Sequence, residues 1–330
     1  MPLFDLDLYA LRGHVTDMAA PPDLDDFWTQ TIDSARVRSQ PAAYAAQPGP
    51  LRSVDVFDVT FSGYGGRPVK AWLLLPAARG GPVDCVVQFV GYGGGRGRPN
   101  QWLTWPATGR AAFVMDNRGQ GGDSYQGDTA DLAVQDVHAA GYVTHGVLDP
   151  CDYYYRRLYT DAVLAVEAAA AHPAISRVVV AGPSQGGGLS IAAASLSTLP
   201  VAALPDVPFL CDMRRASRIS ARAPYAELAA YLRTHPHREE QVFATLAYFD
   251  GAVLAARARM PALFSVGLMD DVCPPSAVFA AHNAWAGPKR IDVYSYAGHE
   301  GGGPVHLDRQ FDEVGRWLDG PRPDERGSGA

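Results

Sequence analysis

The stretch "VVVAGPSQGGGLSIAAA", residues 178–194, decides the fold. Three valines lead into Gly182-Pro183-Ser184-Gln185-Gly186, and an alanine-rich run follows. The pattern G-x-S-x-G carries chemistry only between a strand and a helix, where a strained turn lifts the serine hydroxyl clear of the sheet. Both flanks are present here. Side chains at 182 and 186 would collide across so tight a turn, and a helix starting near Gln185 aims its first N–H groups at developing negative charge. The bland alternative is a glycine-rich helix start whose serine caps Gly187 or Gly188.

Around this knot, short apolar runs alternate with longer helical ones. Strands are expected at "CVVQFV" (85–90), "AAFVMD" (111–116), "RVVVAG" (177–182), "VAALP" (201–205), "ALFSVG" (262–267) and "RIDVYSYA" (290–297). Helices are expected at about 156–172, 185–197, 224–233, 275–285 and 305–318. The alternation predicts an α/β fold, a mostly parallel, doubly wound sheet with helices on both faces. Ahead of it, Asp23 reads as the N-cap of an amphipathic helix carrying Leu24, Phe27, Trp28, Ile32 and Ala35. "VDVFDVTF" (54–61) and "PVKAWLLLP" (68–76) flank the turn-rich Ser62–Gly66 as a β-hairpin. Residues 1–318 are expected to form one domain with two excursions. The first is a Gly-rich loop at 119–149, of a length that is usually functional or interface-forming. The second is a lid-like segment at 205–258. Residues 319–330, "DGPRPDERGSGA", read as a disordered tail.

The composition is that of an ordinary globular protein, 330 residues with 47% apolar and 19% charged side chains. A net charge of −7 without clustered Lys or Arg excludes phosphate-backbone binding, so no nucleic-acid partner is expected. Cys85, Cys151, Cys211 and Cys273 lie far apart with no C-x-x-C pair and read as buried thiols rather than a disulfide frame. The first residues lack the apolar core of a secretory signal, and no run of about 20 apolar residues spans a membrane. A cytoplasmic protein is expected.

A serine hydroxyl needs a base, and the pattern calls for a carboxylate and then a histidine downstream. Asp270 follows "ALFSVG", and His299 follows "RIDVYSYA"; both sit at the carboxyl end of an expected parallel strand, where ligand sites of open α/β sheets collect. They fall 86 and then 29 residues along the chain, in the order of an α/β-hydrolase triad. In that arrangement His299 takes the Ser184 proton and Asp270 orients the imidazole. Asp271 is a rival for Asp270, and Glu300 is a candidate extra orienting group. The other eight histidines fall in helices, the long loop or ahead of the core. The oxyanion hole is expected from the N–H groups of Gln185 and of Tyr92, in the glycine-rich "GYGGGRG" (91–97) after an early strand. Arg96 occupies the third glycine position of a G-x-G-x-x-G motif there, which rules out a dinucleotide loop. "HPHREE" (235–240) lacks metal-ligand spacing and reads as a solvated helix start, so neither metal nor cofactor is expected. "CDYYYRRLYTDAV" (151–163) reads as packing and loop anchoring.

Taken together, "GYGGGRG", "MDNRGQGG", "GVLDPCDYYYRR", "GPSQGGG", "DVPFLC", "YFDGAVLAARARMPALFSVGLMDDVCPPSAVFAAHNAW" and "GHEGGG" resemble carbohydrate esterase family 7, the acetyl xylan esterases and cephalosporin C deacetylases, over residues 1 to about 318. The resemblance implies cofactor-free, metal-free hydrolysis of acetyl esters on short xylo-oligosaccharides and on the cephalosporin acetyl group. Carried over, Ser184, Asp270 and His299 look like the triad, Tyr92 and Gln185 the oxyanion hole, and Arg118, Gly119 and Gln120 supports behind it. It also implies a ring-like homohexamer, a dimer of trimers, whose interface loop corresponds to 119–149. Two departures stand out: Pro183 where the family usually has glycine, and Cys151-Asp152 in place of Arg-Thr before the tyrosines. Alternatives of the same chemistry and of a different class remain, an esterase or lactone hydrolase on another acyl compound and a catalytically silent carbohydrate-binding protein.

Overall fold

The computed structural model describes residues 3–131 and 141–320. Nine strands form one sheet: β1 (Ala43–Ala46), β2 (Val54–Ser62), β3 (Pro68–Pro76), β4 (Val83–Gln88), β5 (Ala111–Met115), β6 (Ile175–Pro183), β7 (Pro200–Asp206), β8 (Ala262–Gly267) and β9 (Lys289–Tyr294). Their spatial order is β1-β2-β3-β5-β4-β6-β7-β8-β9. β1, β2 and β3 pair antiparallel, as does β3 with β5, and every pair from β5 to β9 is parallel. The helices are α1 (Leu8–Gly13), α2 (Leu24–Val37), α3 (Thr104–Ala107), α4 (Tyr154–Ala171), α5 (Gln185–Leu196), α6 (Met213–Ile219), α7 (Tyr225–Thr234), α8 (Glu239–Leu246), α9 (Gly251–Ala255), α10 (Pro275–Ala284) and α11 (Gly303–Asp319).

The continuous apolar runs of the central strands follow from burial on both faces. Successive residues alternate between two cores: Val87, Phe113 and Val180 face α2, α4, α5 and α10, while Val86, Val114 and Val179 face Trp105 of α3 and Val314 of α11. This is the expected α/β sheet with helices on both sides. α5, buried from Gln185 to Ala194, needs no polar face because it is enclosed by β6, β7, α4 and α9.

Several local expectations are corrected. β1 is an additional edge strand. Asp23 stands at the N-cap of α2 but makes no cap bond, because its carboxylate accepts from the Tyr248 hydroxyl at 2.6 Å. Cys151 is exposed, while the other three thiols are buried and free. α11 continues through Asp319, which pairs with Arg110, so Asp319 belongs to the folded body rather than to the expected tail. Residues 132–140 of the 119–149 stretch and 321–330 of the tail lie outside the described residues.

The 205–258 excursion carries α6 to α9 and is pinned at its base. Asp250 accepts N–H groups from Asp212, Met213 and Ala252, and burial pushes its carboxyl up to about 7. Asp212 in turn accepts from His14 and Thr16, so the N-terminal segment straps this excursion to the body.

Candidate active site

Ser184 sits between β6 and α5 with φ 56° and ψ −120°. A non-glycine residue with positive φ is strained and persists only where its surroundings hold it. Here its N–H donates to the Asp206 carbonyl at 2.9 Å, and its carbonyl accepts from Phe209 at 2.9 Å and Gly188 at 3.0 Å. A Cβ at Gly182 or Gly186 would land on the Phe89 carbonyl oxygen of the loop leaving β4, which is why the flanking residues have no side chain. The other non-glycine positive-φ residues of the described chain, Val207, Leu210 and Asp212, all lie in the segment packed against this turn.

His299 follows β9 and Asp270 follows β8. The His299 Nδ1 lies 2.8 Å from Asp270 Oδ2, and Asp270 is fully buried. The other carboxylate oxygen accepts the N–H groups of Val272 and Cys273, both at 2.9 Å. The two loops form one unit, because Leu268 N donates to Tyr294 O and Met269 N to Ala297 O. Three consecutive left-handed glycines, Gly301 to Gly303, turn the chain from the histidine into α11. Asp271 lies near Arg222 at 3.5 Å and is not on the imidazole; Glu300 folds back onto the Gly298 N–H. No hydrogen bond joins Ser184 to His299 among the described residues. The Ser184 hydroxyl instead neighbours the Cys273 thiol, which burial and the Asp270 charge push well up and which Ser184 partly draws back. Nothing in the sequence marked Cys273 as a neighbour of the serine.

The backbone N–H groups of Tyr92 and Gln185 have no acceptor among the described residues, as an oxyanion pair requires. Their loops are tied together, since the Gln185 amide Nε2 donates to the carbonyls of Val90 and Gly91 and its Oε1 accepts from the Tyr155 hydroxyl at 2.9 Å. Gln120 bridges the same parts: its Oε1 accepts the Gly93 N–H at 2.8 Å and its Nε2 donates to Tyr154 and Gln185. Asn117 donates to the carbonyls of Val90, Gly91 and Gly94, fixing the glycine loop from below. Gly119, at φ 67°, turns the chain between Arg118 and Gln120. Arg118 makes a bidentate pair with Asp161, in a buried cluster that continues through Asp131 to Arg157. The tyrosine run is buried packing, and its hydroxyls anchor this scaffold.

One partner was not legible in the sequence. The Tyr92 hydroxyl donates to Glu227 Oε2 of α7 at 2.6 Å, joining the glycine-rich loop after β4 to the 205–258 excursion. Burial, and then this carboxylate, push the Tyr92 phenol far up, so it stays a donor. Among the described residues no His, Cys, Asp and Glu group is arranged to hold a metal, and no helix is long and apolar enough to cross a membrane.

This geometry has relatives. The sequence pattern of "Acetyl xylan esterase (AXE1)" matches residues 1–318. The acetyl xylan esterase from Paenibacillus sp. R4 superimposes with a TM-score of 0.86 at 36% identity, over 95% of this chain and 100% of that one. Acetyl xylan esterase 1 from Thermoanaerobacterium sp. JW/SL YS485 gives 0.83 at 33% identity, over 93% and 98%. The acetyl esterase Axe7A of Xylanibacter ruminicola is 25% identical over 291 residues, 82% of this chain, which spans 61% of that relative's length. A family pattern running through the elbow, the Tyr92 loop and the Asp270 and His299 loops, with two solved members aligned end to end, leaves one assignment: the chain belongs to the acetyl xylan esterase family.

Proposed function

We propose that this protein removes acetyl groups from small acetylated carbohydrates, short acetylated xylo-oligosaccharides above all, by serine acyl transfer to water. The observation that carries the reading is the His299–Asp270 pair on two mutually bonded loops, at the same sheet edge as a serine held in a strained turn. Asp270 on Nδ1 leaves Nε2 of the neutral imidazole as the free base. Ser184 Oγ attacks the acetyl carbonyl while His299 Nε2 takes its proton. The carbonyl oxygen becomes an oxyanion facing the Tyr92 and Gln185 N–H groups, which carry no other acceptor among the described residues. Collapse breaks the bond to the sugar oxygen, which takes the proton from His299 and leaves as a hydroxyl. Water, deprotonated by His299, then releases acetate from the acyl-enzyme. The Ser184–His299 hydrogen bond that this step needs is one that often forms only as substrate binds.

The cephalosporin C acetyl group is a second substrate on this reading, and a homohexamer its assembly. Acetate release from acetylated xylo-oligosaccharides and from cephalosporin C, measured for wild type and Ser184→Ala, tests it. Release that disappears in the variant is expected; undiminished release by Ser184→Ala, or none by folded wild type, overturns it.

A further inference from the structure

A cavity of about 450 Å³ opens beside the elbow, between the loops that follow β4 and β5. Its walls include Pro183, immediately before the nucleophile, Val90, Tyr92, Trp102 and Tyr125. We propose that this cavity is the subsite for the pyranose ring that carries the acetyl group, with Trp102 and Tyr125 as its specificity-determining faces; the proposal rests on the deacetylase reading above.

The chemistry of the walls selects a sugar. The rings of Trp102 and Tyr125 lie 5.5 Å apart with planes inclined at 42°, giving two flat apolar faces. Trp102 is locked, because its Nε1 donates to the Arg96 carbonyl at 2.7 Å. Tyr125 is 39% exposed, and its hydroxyl has no partner among the described residues. The Asp123 carboxylate and the Ser124 hydroxyl on the same rim have no side-chain partner there either. A pyranose has this divided character, with C–H faces that pack on rings and hydroxyl edges that bond to carboxylate and hydroxyl groups. A fatty acyl chain would leave the rim groups with nothing to bind. The volume is within the range of small-molecule sites and far exceeds an acetyl methyl group.

The test compares acetylated xylobiose with ethyl acetate, which has no ring, for wild type, Tyr125→Ala and Tyr125→Phe. The ratio of kcat/KM on the sugar ester to that on ethyl acetate falls about tenfold in Tyr125→Ala, equal to about 1.4 kcal/mol. It falls through KM, and Tyr125→Phe restores most of it. An unchanged ratio overturns the proposal, and so does a ratio that holds while the preference among ethyl acetate, butyrate and hexanoate shifts, which makes the cavity an acyl pocket. Calorimetry with xylobiose itself separates this from the catalytic reading. If wild type releases no acetate from either ester, the deacetylase reading fails, yet a Kd for xylobiose raised about tenfold by Tyr125→Ala still supports the subsite; an unchanged Kd refutes it.

Discussion

Glu227→Ala tests whether the Tyr92 loop, proposed to supply an oxyanion donor, is held from the far side of the site. The Tyr92 hydroxyl meets Glu227 at 2.6 Å, a charge-assisted hydrogen bond. Such bonds contribute about 1.5–3 kcal/mol. Loss of an entire oxyanion donor costs about 2.7–4 kcal/mol in the transition state. Removing the clamp loosens the Tyr92 N–H without deleting it, so the effect belongs near the lower figure, a drop in kcat of about ten- to thirtyfold. KM stays within about twofold, because the oxyanion forms after substrate binds. Glu227→Gln keeps a neutral hydrogen bond and loses about half as much in free energy. The assay is steady-state kinetics on a soluble acetyl ester, with thermal midpoints to confirm folding. Tyr92→Phe closes a double-mutant cycle, and the double variant is no worse than the worse single one, since each removes the same bond. Full kcat in Glu227→Ala, a rise in KM alone, or additive losses would refute the reasoning.

Two further outcomes follow from buried charges. Arg118→Met leaves the fully buried Asp161 without its counter-charge, so unfolding free energy falls by about 3–5 kcal/mol in denaturant titrations, and a loss under about 1 kcal/mol would contradict this account. His306 lies between Asp206 at 2.9 Å and Asp292 at 3.4 Å, and despite the opposing effect of burial these carboxylates raise it from 6.5 to about 9. A histidine raised in this way stabilises the folded state fully below its unfolded value and loses that stabilisation as pH rises through about 9. The stability gap between wild type and His306→Gln therefore narrows by about 3 kcal/mol from below pH 6.5 to above about 9, and a gap independent of pH would show that the ring acts only by packing.

The sequence revealed what is local. β6 and α5 were legible because a β-branched run, a knot of small residues and an alanine-rich run are each short-range signals. The Asp270 and His299 positions followed from strand ends, but the choice between Asp270 and Asp271 did not. It depends on which carboxylate the Val272 and Cys273 N–H groups seize, a turn geometry that adjacent aspartates do not encode. β1 escaped because "AYAA" has neither alternation nor strand propensity and forms only by pairing with β2. Glu227 escaped because it meets Tyr92 across 135 residues, from a helix whose pattern shows only an ordinary exposed carboxylate. Asp23 takes the expected N-cap position but not the capping bond for a related reason: the N-cap preference is local, and a tyrosine 225 residues away takes the carboxylate instead.

Pro183 shows how the sheet accommodates a residue that removes a donor one step before Ser184. In a parallel strand successive N–H groups point to opposite neighbours, so the Ser184 N–H, which donates to Asp206 of β7, fixes the missing Pro183 N–H on the β4 side. The last bond between the β4 and β6 sides is the Phe89 N–H to the Ala181 carbonyl at 2.9 Å, so proline at 183 forgoes a donor only where that ladder ends. The fixed φ of proline costs little at the end of a strand, and it narrows the freedom of the chain just where Ser184 must hold a positive φ. Position 183 pairs with Asp206 on the backbone and turns its exposed ring into the cavity. The same residue thereby stiffens the turn that presents the hydroxyl and supplies an apolar wall beside it, so Pro183→Gly releases both constraints while leaving every hydrogen bond of the elbow in place.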